Sequence, residues 1–242
     1  MYEGIIAELA PNGTLRAGIN MSNPLLVTGE TPAGDPDGVS PNMAAAIADR
    51  LGVQVKYVPF PSPGVLADAM AEDAYDIGLI AAEPARAETI AFTSAYVEIE
   101  ATYLVPAGSP LTAIDQVDRP GIRIAVSARS AYDLYLARTL EHAELVRATG
   151  LGGALDLFTA EKLDALAGLR PALNEDVKKL PGTTILDGSY TTVQQAIGTK
   201  PENKAAAVFL QEFVTEAKQS GLVAEFILKH GVEGRLLVAS DG

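Results

Sequence analysis

Several residue types that support particular chemistries are missing or scarce in this chain of 242 residues. The absence of cysteine excludes disulfides, thiol nucleophiles and thiolate metal sites, although it does not identify a compartment. The two histidines, His142 and His230, each lie alone in a helical pattern, so we expect solvated or core histidines rather than metal ligands or catalytic bases. The sequence also lacks a phosphate-binding loop and a glycine-rich dinucleotide turn. We therefore predict neither a metal site nor a cofactor.

Positive charge is scarce as well. The chain has 18 Lys and Arg against 31 Asp and Glu, a net charge of −13, which repels nucleic acids and anionic membranes. No apolar run approaches the roughly 20 residues of a membrane helix, and "MYEGIIAELAPNGTLRAG" lacks the basic start and apolar core of a signal peptide. We expect no nucleic-acid partner and no membrane insertion. The protein is expected in the periplasm if a leader has been removed, and otherwise in the cytoplasm.

The segments that are present alternate between strand-like and helix-like patterns. "TLRAGIN", "VQVKYVPF" and "YDIGLIA" read as strands separated by helices, and the third is apolar enough to be buried on both faces. A second block of the same kind begins at residue 118 with the strand "IRIAV". Alternation of this kind predicts parallel sheets with right-handed crossovers, and hence an α/β fold.

The helix ends and helix faces can also be predicted. Ser40 is expected to cap one helix that Gly52 ends, and Ser130 to begin another. Val65 is placed on the core side of the helix between the second and third strands. The helix after Ser130 is expected to turn three residues toward the core: Leu134, Tyr135 and Leu140.

Two tandem blocks without a flexible linker predict two lobes joined by ordered strands. "VEIEATYLVP" is the expected first crossing and "SYTTVQQAIGT" the return. The first lobe is then formed by residues 1–100 and 193–242, and the second, inserted lobe by residues 101–192.

The stretches "GTLRAGIN", "GVSPNMAAAIADRLG", "YDIGLIAAEPARAETIAFTSAYVEIEATYLVP", "GIRIAVSARSAYDLYL" and "FVTEAKQSGLVAEFILKHG" resemble, in order, the polar amino-acid class of periplasmic solute-binding proteins of ABC transporters. The resemblance covers nearly the whole chain. It implies the two-lobed type II periplasmic-binding-protein fold, with a mainly parallel sheet flanked by helices in each lobe and ligand capture by hinge closure. It also implies a transporter permease as partner and a monomeric protein.

Arg86 is the residue on which the resemblance is most specific, because the family uses the arginine at this motif position to hold the ligand carboxylate. Independently of the family, a guanidinium offers two parallel donors to a carboxylate, and Ala81 and Ala82 can add backbone N–H groups at the end of a strand. The alternative is that Arg86 forms a structural ion pair with Glu83 or Glu98.

In the second lobe the resemblance implies a Gly-Ser/Thr-Thr turn that completes the anion site. Here Arg129 replaces the glycine, Ser130 matches, and Ala131 stands where threonine is common. Ser130 is expected either to contact the ligand or only to cap its helix. Arg129 is either a second cation for the ligand or a solvated turn residue.

Other positions depart from the family pattern. Leu169 stands where the family has an aspartate for the ligand ammonium, and Asn23 and Pro63 replace aromatic residues that sandwich the ligand. A carboxylate without an α-ammonium group therefore fits the resemblance, unless Glu98 or Glu100 supplies a replacement acid.

The strand after the arginine motif places Tyr96, Glu98, Glu100 and Thr102 on one face. The alternation indicates a solvent-facing side, but one glutamate could instead face the ligand. Tyr96 is either hinge packing or a ligand contact.

The pattern favours a non-enzymatic binding protein that takes up a small carboxylate, either amino-acid-like or another organic acid. One alternative is a lyase on the same scaffold resembling cyclohexadienyl dehydratase, with Glu98 or Glu100 as general acid. The other alternative is a cytosolic ligand-sensing domain.

Overall fold

The computed structural model describes residues 2–240. These residues group into two compact units, with residues 2–98 and 194–240 in unit 1 and residues 99–193 in unit 2. The chain thus leaves unit 1 once and returns once. Of the lobe limits predicted above, those at Met1 and Gly242 lie outside the described residues, and the others remain a prediction.

The helices and strands alternate through most of the described chain. The helices are α1 (Glu3–Leu9), α2 (Val39–Leu51), α3 (Pro63–Ala69), α4 (Pro84–Ala87), α5 (Ala131–Thr139), α6 (Gly150–Ala160), α7 (Arg170–Lys179), α8 (Lys204–Gln219) and α9 (Leu222–Lys229), with a 3-10 turn at Ile114–Gln116. The strands are β1 (Thr14–Asn20), β2 (Gly29–Glu30), β3 (Pro36–Asp37), β4 (Gln54–Phe60), β5 (Ile77–Ala81), β6 (Ala91–Phe92), β7 (Val97–Val105), β8 (Arg123–Ser127), β9 (Glu144–Ala148), β10 (Ala165–Leu169), β11 (Thr184–Ile185), β12 (Thr191–Thr199) and β13 (Leu237–Val238).

The sheet of unit 1 is built around β5. Strand β1 lies between β4 and β5 and is parallel to both, and β12 pairs antiparallel with β5 on the other side. All five residues of β5 are buried, which confirms the prediction from its apolar sequence. The carboxyl ends of three parallel strands therefore meet at one edge, where chain connections can carry a site.

The sheet of unit 2 follows the same plan. Strand β8 lies between β9 and β10 and is parallel to both, while β7 runs antiparallel to β10, with Leu169 opposite Ala101. A buried cluster that includes Leu104, Phe158 and Leu166 forms its core. Both units thus confirm the predicted α/β class, and in each of them three parallel strands are joined by antiparallel neighbours, so the sheet is mixed.

The prediction for the start of α2 is wrong. Ser40 lies inside the helix, and the N-cap position is Gly38, whose φ of +153° suits glycine. The Ser40 hydroxyl instead forms a 2.8 Å hydrogen bond with the Tyr96 hydroxyl. The other end is confirmed, because Gly52 ends α2 in the left-handed conformation at φ +69°.

Two predicted helix faces also differ from the structure. Val65 on α3 is 43% exposed, and the neighbouring Leu66 is the residue of that turn that is buried in the core. Ser130 does cap α5, as predicted, but the buried side is rotated. Leu134, Tyr135 and Leu140 are only half-buried, whereas the fully covered positions of the helix are Ala131, Tyr132, Asp133 and Leu136.

Candidate functional site

Arg86 lies directly beyond the carboxyl end of β5, in the short helix α4. Proline at the first position of α4 starts the helix immediately after the turn, and this brings the arginine back toward the strand. Its side chain is only 5% exposed, and its Nη1 donates a 2.8 Å hydrogen bond to the Ala81 carbonyl oxygen. The guanidinium is therefore fixed against the strand end.

The charge of Arg86 also acts on the core beneath it. Burial raises the pKa of Tyr75, and the nearby positive charge of Arg86 opposes that rise. Tyr75 is fully buried and donates to the Leu66 carbonyl oxygen. This effect on Tyr75 tests neither the structural ion pair with Glu83 or Glu98 nor the ligand role of Arg86, and both remain predictions.

The two alanines before α4 differ in the hydrogen bonds of their N–H groups. The Ala82 N–H donates to the Gln194 carbonyl oxygen at 2.9 Å, so this donor is used within the sheet, and a ligand role for Ala82 remains a prediction. Ala81 is buried at 4% exposure and lies opposite Gln195 in the sheet. Its role as a donor remains a prediction.

Tyr96 is a core residue of unit 1. It has no exposed surface, its N–H donates to the Gln195 carbonyl oxygen, and its hydroxyl bonds to Ser40. Burial raises its pKa far above the usual range, despite the bond to Ser40. The burial and the bond to Ser40 agree with the packing alternative, and a ligand contact by Tyr96 remains a prediction.

Glu98 and Glu100 lie on the same face of β7 but have different partners. Glu98 is half-buried, and its Oε2 accepts a 2.9 Å hydrogen bond from Gln194 Nε2, within unit 1. Glu100 has a side chain 46% exposed, and its Oε2 accepts a 2.6 Å bond from Arg170 Nε, within unit 2. Sequence reasoning missed both Gln194 and Arg170, because each lies 70 or more positions from its glutamate.

The shared face of β7 is not a solvent-facing side along its length. Tyr96 before the two glutamates and Thr102 after them both have no exposed surface. Glu98 and Glu100 are therefore the two more accessible residues of this face, and they lie between the fully buried Tyr96 and Thr102. The alternation read from the sequence indicated solvent, and the structure corrects that interpretation.

In unit 2, Ser130 caps α5 with its side chain. Its Oγ accepts a 3.1 Å bond from the Asp133 N–H, and Ala131 follows as a buried first residue of the helix. Burial raises the pKa of Tyr132 to about 12, partly offset by hydrogen bonds with Ser130 and Ser127. The Ser130 hydroxyl therefore has structural partners, and a ligand role for Ser130 and Ala131 remains a prediction.

Arg129 holds the conformation for which glycine is favoured. Its φ is +60°, in the left-handed region. Its N–H donates to Asp133 Oδ2 at 2.7 Å, and Asp133 Oδ1 accepts from Arg147 Nε at 2.8 Å. The Ser-x-x-Asp spacing from residue 130 to 133 is a capping-box signal that could have identified Asp133 from the sequence.

Asn23 lies in the loop after β1 and is buried at 7% exposure. Its Oδ1 accepts a 3.0 Å hydrogen bond from the Leu25 N–H, and its carbonyl oxygen accepts from two further N–H groups of the loop. The side-chain oxygen therefore shapes the loop. A ligand contact by Asn23 remains a prediction.

The end of β10 carries no acid. Leu169 is buried there at 7% exposure, and the next residue, Arg170, is the partner of Glu100. Asp164, at the other end of the strand, accepts the Arg123 N–H at 2.8 Å and fixes the start of β8.

Neither histidine lies within a helix as the sequence pattern indicated, because His142 is in the bend between α5 and β9 and His230 directly follows α9. His142 is exposed, and His230 is a core residue whose side chain is 6% exposed, with Nδ1 3.0 Å from Thr28 Oγ1. Burial lowers the pKa of His230, the Asp37 carboxylate acts in the opposite direction, and the Lys229 ammonium adds to the lowering. Within residues 2–240, no group of three or more metal-binding side chains comes together, and no helix has the length and apolar character needed to cross a membrane.

Two α/β units that the chain links through β7 and β12, with a buried arginine at the end of a parallel strand, agree with the fold that the resemblance implied. The sequence model of the bacterial extracellular solute-binding proteins, family 3, matches residues 15–233. The chain belongs to this family. No curated protein matches the sequence significantly.

Solved structures with the same fold include several amino-acid-binding proteins. A P235GK mutant of ArgBP from T. maritima is 21% identical, with a TM-score of 0.75 over 95% of this chain and 100% of that chain. An amino-acid ABC transporter substrate-binding protein from Streptococcus pneumoniae, bound to L-arginine, is 18% identical, with a TM-score of 0.74 over 98% of this chain and 99% of that chain. The ancestral amino-acid-binding protein AncCDT-1, a precursor of cyclohexadienyl dehydratase, is 18% identical, with a TM-score of 0.73 over 93% of this chain and 98% of that chain. At these identities the likeness establishes the fold.

Proposed function

We propose that this solute-binding protein holds a small ligand by its carboxylate and delivers it to an ABC transporter without changing it chemically. The observation that carries the proposal is Arg86, a guanidinium 5% exposed at the carboxyl end of β5. A guanidinium binds a carboxylate through two parallel N–H donors, and the pair is stronger where water is largely excluded.

Amino acids are the ligand class that the similar structures favour. The pneumococcal protein is bound to L-arginine, and ArgBP from T. maritima is also known arginine-bound. We extend the amino-acid class, and not arginine in particular, to this chain. Organic acids without an ammonium group are the competing class.

Native mass spectrometry of protein purified without refolding tests the carboxylate proposal. We expect a bound small acid, and calorimetry with the same compound should give a one-to-one complex. A co-purified ligand without a carboxylate would contradict the proposal. So would a protein that no amino acid or organic acid stabilises against heat.

The lyase alternative depends on the resemblance to cyclohexadienyl dehydratase. Of its two candidate general acids, Glu100 has its carboxylate engaged by Arg170 within unit 2. The structurally similar AncCDT-1 is itself described as amino-acid-binding. We therefore propose binding without catalysis, and recovery of the bound compound with unchanged mass after long incubation is the expected result.

We also propose that the two units act as the lobes predicted from the sequence, with limits near residues 100 and 193, in a monomeric protein that meets its permease outside the cytoplasmic membrane. The family description as extracellular supports that location. Light scattering coupled to gel filtration, giving one chain mass, checks the monomer.

A further inference from the structure

Unit 2 contains a cavity of about 400 Å³ at the end of its sheet where β10 begins and β7 ends. Strands β7 and β10 are antiparallel, with Leu166 opposite Leu104 and Leu169 opposite Ala101. The cavity therefore lies at the opposite end of β10 from Leu169. It is formed entirely by residues of unit 2, where α6, α7 and β7 come to their ends.

The inner surface of this cavity is apolar. Phe158 and Leu163 are buried at 4% and 1% exposure in the core cluster of unit 2, and Leu180 packs against the same cluster. Pro106 and Pro181 complete the apolar part of the lining. The volume lies within the range of small-molecule sites, about 300 to 1,000 Å³. The cavity therefore suits a ligand with an apolar body.

The two hydroxyl groups of the lining are used within their own elements. Thr159 Oγ1 donates to the Asp156 carbonyl oxygen at 2.9 Å, and Thr183 Oγ1 donates to the Leu180 carbonyl oxygen at 2.7 Å. A hydroxyl has a single proton, so neither group has another to offer a ligand. None of the described residues that line the cavity carries a carboxylate, and the charged member of the lining is Lys162.

Lys162 holds a backbone conformation for which glycine is favoured. Its φ is +52°, in the left-handed region, and the following Leu163 N–H donates to the Phe158 carbonyl oxygen at 3.0 Å. This turn ends α6 and places the lysine at the exposed side of the cavity. A strained residue beside a cavity raises the question of what its side chain binds.

The ammonium group of Lys162 has no acid partner in the part of the chain that the structure describes. The other lysines of unit 2, Lys178 and Lys179, pair with acids of α7 at 2.7 and 3.0 Å, whereas no carboxylate oxygen lies within 4.0 Å of Lys162. The adjacent acid, Glu161, is paired with Arg123 at 2.6 Å. An unpaired cation next to an apolar cavity without acids is complementary to an anion that has an apolar body.

We propose that this cavity of unit 2 binds a medium-chain carboxylate, whose charged end pairs with Lys162 and whose chain covers Phe158 and Leu163. The site would be a second one, since it lies within unit 2 and uses none of the residues proposed above to hold a ligand. A compound that binds the folded unit also stabilises it, so the site would link the stability of unit 2 to the presence of such acids.

An NMR titration of the ¹⁵N-labelled protein with octanoate tests the proposal. Octanoate should shift the amide signals of residues 158–163 and 180–183. It should bind about threefold or more tightly than octanamide, which has the same chain without the charge. Butyrate, which has the charge on a shorter chain, should bind at least about tenfold more weakly than octanoate.

Two substitutions separate the charge from the cavity. Lys162→Gly removes the ammonium group and relieves the left-handed conformation, so it should weaken octanoate about threefold or more without lowering the melting temperature of the ligand-free protein. Thr159→Trp keeps all charges and places an indole in the cavity, so it should abolish the octanoate shifts. Lys178→Ala is the matched control, since it removes the same charge from a lysine outside the lining, and it should change octanoate affinity less than about twofold. Circular dichroism checks that each variant is folded.

The outcomes distinguish this inference from the proposed function. Octanoate shifts that are confined to other segments, or shifts that persist in Thr159→Trp, would overturn the cavity site. Equal affinity for octanoate and octanamide, with wild-type octanoate affinity in Lys162→Gly, would overturn the assignment of an anion. Neither result bears on Arg86, which lies in unit 1.

Discussion

Replacing Arg86 by alanine is the most direct perturbation of the proposed site. The substitution removes the guanidinium at the end of β5 and its 2.8 Å bond to the Ala81 carbonyl oxygen, and leaves the β5 backbone in place. It therefore separates two roles of one side chain, binding a ligand carboxylate and stabilising unit 1.

The two roles predict losses of different size. Removing one partner of a desolvated arginine–carboxylate pair costs about 2 to 5 kcal/mol, or roughly 30-fold to several-thousand-fold in affinity. The bond from Arg86 to Ala81 is worth about 1.5 to 3 kcal/mol of folding free energy, partly offset because a buried charge is removed. We expect ligand affinity lowered by roughly 30-fold or more, together with a melting temperature lowered by only a few degrees. Arg86→Lys should lose nearly as much affinity, because a point charge lacks the two parallel donors.

Calorimetry and thermal unfolding of the ligand-free protein measure the two losses separately. Arg50→Ala is the control, since Arg50 is a surface arginine of unit 1 paired with Glu216 at 2.5 Å, and such pairs contribute at most about 1 kcal/mol. It should change affinity less than twofold. Normal affinity in Arg86→Ala with a large loss of stability would show that Arg86 is structural and would refute the reasoning.

Three further predictions concern stability. Gly38→Ala should lower the free energy of unfolding by about 3 kcal/mol or more, because the added Cβ would lie 2.2 Å from a backbone oxygen. Gly34→Ala is the control, since Gly34 also has a positive φ but lies in open space, and it should lower the free energy of unfolding by only about 1 kcal/mol. Urea unfolding measures both changes. Asp118 accepts three backbone N–H groups at 2.8 to 2.9 Å, so Asp118→Ala should lower the free energy of unfolding by about 2 kcal/mol, and Asp118→Asn by less. The lowered pKa of His230 gives stability that is complete above its unfolded pKa of about 6.5 and lost as the pH falls through the folded pKa. The melting temperature should therefore decrease from pH 7 to pH 5, and decrease less in His230→Gln; an equal decrease would show that other groups cause it.

Local sequence signals predicted most of the strands because the physics behind them is local. The run Ile77–Ala81 is uniformly apolar and is uniformly buried, and Gly52 ends α2 where only a residue tolerant of positive φ fits well. Helix α6 was missed because glycines at 150, 152 and 153 resemble a loop, although the helix packs through Ala154 and Phe158. There, tertiary burial outweighs helix propensity.

The candidate site was predicted in part, and the missing part depends on contacts that are distant in the sequence. Arg86 could be singled out from its motif, but the partner of Glu98 lies 96 residues away and the partner of Glu100 lies 70 residues away. The alternation of residues on β7 could not distinguish the two glutamates. It predicts which side of the strand a residue lies on, but not which residue from another strand lies next to it. Likewise, the sequence around Ser40 is typical of a helix N-cap. The hydrogen bond of its hydroxyl with Tyr96 could not be predicted, because Tyr96 is distant in the sequence.

The interruption of unit 1 by residues 99–193 sets an order for synthesis and folding. Unit 2 is one continuous stretch, so strands β8 to β11 are all synthesised before β12. Strand β5 and the turn that carries Arg86 must wait for β12 to receive their antiparallel neighbour, and α1 must wait for residue 206, whose N–H binds Glu8 Oε2 at 2.8 Å. The half-finished chain therefore exposes an unpaired edge of β5 for the time needed to translate about a hundred residues, roughly 5 to 20 seconds at ordinary rates. A chaperone that binds the growing chain would therefore encounter unit 1 with this strand edge unpaired.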